Sequence, residues 1–185
     1  MLKKGYVDVK KRIQNLSRLG DLRILIDDES DKGLVLTLTS LIEVTIQEII
    51  SAFLVPNSVS KNYIKSTSSA PINKRVQLTC SLGLICELEM NVINKICEIR
   101  NQFAHNWNVN FDTPEVSKKM QELADLWISF DEESNQKFRQ QPKRKLFDSI
   151  AFMLLGDLVH RAEEVGFHRL KPMEWSRTWV KKMES

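Results

Sequence analysis

The sequence predicts an all-α protein, an up-and-down helical bundle with further helices at its C-terminal end. Three observations carry that expectation. Only six Gly and five Pro interrupt 185 residues, too little punctuation for a many-stranded sheet. Apolar residues recur at helical spacing along most of the chain. The composition, 42% hydrophobic and 28% charged, is that of a globular chain long enough to bury a core as one domain.

Residues 5–25 carry Val7, Val9, Ile13, Leu16 and Leu19 in a loosely helical period. Ser30 offers an N-cap, and Asp31 adds a favourable charge in the first turn. From Leu34 to Phe53 a wide apolar stripe runs for about five turns, until Pro56 stops it. Glu43 and Glu48 sit within it, at the stripe's edges or, in a functional reading of Glu43, reaching the site of Arg100 and His105 from a neighbouring helix. Residues 57–71 read as a polar loop with at most a short helical turn around Tyr63 and Ile64.

Helices are expected over 72–85, with Gly83 near the end, and over 88–104, where Val92, Ile93, Ile96, Ile99 and Phe103 form the apolar side. Thr113-Pro114-Glu115 is a helix start: hydroxyl cap, proline at the first position, then an acid. A polar connection spans 131–142, and a long helix follows from about Lys143 to Glu164. Beyond Gly166, Trp175 and Trp179 suggest a short amphipathic helix.

Charge is unevenly spread around a net +3. Residues 1–25 hold seven Lys/Arg against two acids, and residues 137–185 hold eleven against six, so each end is +5 and the middle −7. Such ends are solvated faces or a polyanion-binding surface. Lys143, Arg144, Lys145, Arg177, Lys181 and Lys182 are the candidates for nucleic-acid contact. Cys80, Cys86 and Cys97 are odd in number and form no CxxC pair, so buried, reduced thiols and a cytoplasmic location are expected. No secretion signal is evident, and the longest apolar run, Ile150–Leu155, is far short of a membrane span.

Several chemistries lack residues. His105, His160 and His168 form no HxxxH or HExxH, so no metal is expected. No glycine-rich phosphate loop or GxSxG elbow is present, and no cofactor is implied. What remains is Arg100-Asn101-Gln102-Phe103-Ala104-His105 at a predicted helix end. Cationic groups there complement the helix dipole. A guanidinium fork, an amide and an imidazole so close together also suit chemistry on a phosphate. Positions five apart differ by about 140° on a helix, so Arg100 and His105 flank a groove, whereas Asn101 and His105, four apart, share a face.

Three stretches carry a resemblance: Asp31–Thr37 with its following helix, Ile72–Leu78 running into Leu82–Ile85, and Ile99–His105. Phe111-Asp112-Thr113-Pro114 also fits. Together they resemble the mannitol operon repressor family, which is similar to the HEPN superfamily of helical bundles, over roughly residues 20–130. The resemblance divides the chain into a basic N-terminal helix (1–20), the bundle (21–130) and a C-terminal helical extension packed on it (131–185). Nuclease members carry Arg, a polar residue, a spacer and His, a pattern that Arg100, Asn101 and His105 match. It implies a homodimer paired through the motif helix, and two competing functions. One is metal-independent RNA cleavage, as in a toxin or phage-defence effector held by a protein partner. The other is non-catalytic transcriptional regulation through protein contacts.

Overall fold

The computed structural model describes residues 20–24, 26–68, 70–127 and 132–172, and every regular element among them is helical. The all-α expectation holds. Residues 20–24 and 26–27 are helical, and after them come α1 (Asp31–Phe53), α2 (Ser58–Thr67), α3 (Ile72–Ser81), α4 (Glu87–His105), α5 (Pro114–Leu126), α6 (Glu132–Arg139) and α7 (Lys143–Val165), followed by a 3₁₀ turn at Gly166–His168. Residues 1–19, Trp175 and Trp179 lie outside the described residues.

Helix α1 begins as its sequence suggests, with the Ser30 hydroxyl accepting from the Gly33 amide at 3.0 Å. It runs through the centre, packing on α7, α4 and α3. Leu38, Ile42, Ile46 and Ile49 are fully buried along it, against Ile93, Ile96 and Ile99 of α4 and Phe147, Ile150 and Leu158 of α7. By length and composition α1 would cross a membrane, with mean hydropathy 1.5 over its most apolar window, but half of that window is buried in this core. Its buried Thr39 and Thr45 hydroxyls donate back to the carbonyls of Val35 and Leu41, so their polarity costs little. The far end of α1 is capped from a distance: Leu170 N and Arg169 Nε donate to the carbonyls of Phe53 and Ala52 at 2.8 and 2.9 Å.

Two segments expected to be loops are helical. In 57–71 the Asn57 side chain accepts from the Ser60 amide at 2.8 Å and starts the ten residues of α2. That helix buries no side chain, so it left no apolar stripe to read; Gln47 Nε2, donating to the Ile64 carbonyl, pins it to α1. Helix α6 likewise occupies much of the polar stretch 131–142. Helix α5 starts at Pro114 as expected, yet the Thr113 hydroxyl does not cap it. Instead Asn110 Oδ1 accepts from the amides of Asp112 and Thr113.

Helix α3 ends in a Schellman turn: Leu84 N donates to Thr79 O, Gly83 N donates to Cys80 O, and Gly83 takes φ +70°. This turn aims the chain into α4, where Glu89 accepts from the Cys86 amide at 2.8 Å and pairs with Arg161 of α7. One carboxylate thus fixes the start of the motif helix to the core. Glu89→Ala is expected to lower unfolding free energy by about 1–2 kcal/mol, read from urea melts, with Arg161→Ala showing a smaller loss because the cap survives.

Candidate functional site

Helix α4 is buried on one side only. Val92, Ile93, Ile96, Ile99 and Phe103 face the core, and Phe103 meets Phe111 at 5.2 Å, which in turn meets Phe147 of α7 at 5.6 Å. The rings clamp the last turn of α4, and the motif residues project from that turn's other sides. Asn101 and His105 are exposed, while Arg100 is partly covered, its side chain 38% accessible. Arg100 Nη1 donates to Asn101 Oδ1 at 3.1 Å.

Arg100 and Asn101 line an open groove of about 640 Å³ between α1, α3 and α4. The lining does not extend to His105, which ends α4 beyond it. Within the chain, therefore, the arginine and the amide are brought together and the imidazole stands apart, on the face that Asn101 shares with it.

Glu43 does more than edge the apolar stripe. Its Oε1 lies 3.8 Å from Arg100 Nη2, and its Oε2 accepts from Arg75 Nη2 at 3.3 Å. Arg75 is the residue that sequence reading missed: it is only 7% exposed and also donates to Gln47 Oε1 at 3.0 Å and to the Glu43 carbonyl. An arginine beside Val76 on an amphipathic helix gives no sign of burial, because burial depends on the carboxylate waiting across the helix pair. The Nε–H of Arg75 is buried without a partner.

Cys97 borders this cluster. Burial pushes its thiol up to about 12, Glu43 adding to the effect and Arg100 and Arg75 opposing it. It stays protonated and unreactive at neutral pH. Cys86, expected to be buried, is exposed. Iodoacetamide at pH 8 is expected to label Cys86 roughly tenfold faster or more than Cys97, as peptide mass spectrometry reads it.

On the side of α4 toward α5, Glu98 accepts from Lys95 and Lys119 at 2.9 and 2.8 Å, and Glu122 holds Lys95 at 2.7 Å. Burial alone would raise Glu98, but the two ammonium groups outweigh it and hold its carboxyl below the usual range. These charges neutralise one another, so Glu98 does not stand unpaired at the groove it lines.

The basic candidates have mixed fates. Lys143 pairs with Asp112 at 2.9 Å. Arg144 pairs with Asp31 at 2.8 Å and donates to the carbonyl of Glu29 at 2.6 Å, tying the segment before α1 to α7. Lys145 is exposed beside a smaller cleft lined by Arg23 and Asp148. Arg177, Lys181 and Lys182 lie outside the described residues. Among the described residues no three His, Cys, Asp or Glu side chains are placed to hold a metal ion.

The chain matches no protein-family model, no curated protein and no solved structure. Its own geometry has to carry the functional reading.

Proposed function

We propose that this protein is a HEPN-like, metal-independent RNA endonuclease of the cytoplasm, working as a homodimer paired along α4. The observation that carries the proposal is the exposed face of α4, which presents Asn101 and His105 side by side, Asn101 sharing its groove with Arg100. A second copy laid on that face supplies the second imidazole and guanidinium that one subunit lacks.

His105 of one copy takes the proton of a ribose 2′-hydroxyl, and the oxygen attacks the adjoining phosphorus. The bond from phosphorus to the 5′-oxygen breaks, and the second copy's His105 protonates that leaving oxygen. Products are a 2′,3′-cyclic phosphate and a 5′-hydroxyl. Arg100 stabilises the charge that gathers on the phosphoryl oxygens, and Asn101 orients it through their hydrogen bond. DNA, lacking the 2′-hydroxyl, is not cut. An enzyme of this kind endangers its own cell, which fits a toxin or phage-defence effector restrained by a protein partner.

The test is mixed RNA incubated with the protein in EDTA, where fragments ending in 2′,3′-cyclic phosphate are the expected result and intact RNA would remove the enzyme. One observation favours a second reading, a regulator in the manner of the mannitol repressor family. Arg100 is already paired with Glu43 of its own subunit, as a structural arginine would be. Under that reading, Arg100→Ala weakens the dimer in sedimentation and no RNA is cut.

A further inference from the structure

The groove beside the motif is larger than one phosphate requires, at about 640 Å³, and several side-chain amides line it beside Arg100. Asn73 at the start of α3 and Asn94 in α4 line it, and neither side chain has a hydrogen-bond partner among the described residues. Asn101 joins them, its oxygen bound to Arg100 and its NH₂ free to donate. Below them lies Arg75, 7% exposed, with an Nε–H that has no partner among the described residues. An unpaired donor on a buried guanidinium is costly to keep, and a strand of bundle packing gains nothing from it.

We propose that this groove holds one unpaired nucleotide of a single-stranded RNA, next to the linkage that His105 and Arg100 address. The assignment rests on the RNA reading above. Arg100 makes one hydrogen bond and one 3.8 Å ion pair, so its remaining N–H groups are open to the nucleotide's phosphate. Arg75 holds Glu43 from beneath, so that this carboxylate does not stand as an unpaired negative charge beside the phosphate. The amides of Asn73 and Asn94, each a donor and an acceptor, meet the edge of the base. Only an unstacked base brings its edge into such a groove, and so duplex RNA is excluded. A side-chain amide reads a base by its donor and acceptor pattern, which gives the site a base preference rather than a uniform grip.

The experiment measures binding apart from cutting. Ten-nucleotide homopolymers with 2′-fluoro sugars offer no 2′-hydroxyl nucleophile, and fluorescence anisotropy of each with the wild-type chain gives four affinities. The expected result is a preference of roughly fivefold or more for one base, lost in Asn73→Ala and Asn94→Ala. Because neither side chain has a partner, both variants are expected to keep the wild-type melting temperature. A duplex of the preferred sequence is expected to bind more weakly than the single strand. Equal affinities for all four bases, or a preference unchanged in both variants, overturns the proposal. So does a free mononucleotide that competes as well as the oligomer, since the ligand is then a small nucleotide and not a strand. If unmodified RNA is cut while the amide variants change nothing, the groove fails and the nuclease stands. If the strand binds with its base preference and nothing is ever cut, the reverse holds.

Discussion

Replacing His105 by alanine is expected to slow RNA cleavage by about 10²–10⁴-fold, the usual contribution of a positioned proton-transfer group. The residue is exposed at the end of α4 and ties no other element down, so the fold loses little. What it loses is the interaction of a cation with the helix C-terminus, about 0.3–1 kcal/mol when the imidazole is protonated. Activity and stability therefore separate at this position, and a melt run beside each assay shows it. Arg100→Ala is expected to cost a comparable 10²–10³-fold, the scale for removing one donor to a developing oxyanion. Arg100→Lys restores little of it, because a lysine cannot both reach Asn101 and offer a planar fork to the phosphate. Cleavage by His105→Ala at the wild-type rate would show that another group moves the proton.

Phe103→Ala is expected to lower unfolding free energy by about 3–5 kcal/mol. The ring is fully buried and meets Phe111 at a tilt of 56°, and Phe111 bridges to Phe147 of α7. Truncation removes its transfer energy, opens a cavity and frees one side of an aromatic pair that adds about 0.5–1.5 kcal/mol of its own. The loss should appear as a lower urea midpoint at unchanged slope. Phe103→Leu keeps most of the volume and is expected to cost far less. A change below 1 kcal/mol for the alanine variant would mean that the loop bearing Phe111 collapses into the space.

Much of the bundle was legible because its long helices carry their own instructions. Leu34 to Phe53 and Val92 to Phe103 spell out an apolar face, while Ser30, Gly83 and Pro114 mark ends by local chemistry. Helix α2 was not legible, since it half-buries little beyond Ile64 and its one signal, the Asn57 cap, reads equally as a turn residue. The thiols divide on the same line. Neighbours in sequence suggest an apolar setting for Cys86, but its place at the mouth of a helix exposes it. At the site, spacing placed Asn101 and His105 on one face. It allowed Glu43 to reach Arg100 from a neighbouring helix but gave no sign of Arg75, which makes the link one that joins three helices. Pairings across 32 and 57 positions exist only once the chain has packed.

Phe103 and His105 stand two positions apart, one locked among rings and the other open to its surroundings. The backbone that carries the imidazole is therefore held in place for as long as the aromatic clamp holds. A warmed sample should keep its histidine in register until the whole bundle gives way, then lose its tertiary signal and any competence together, with no half-active stage between.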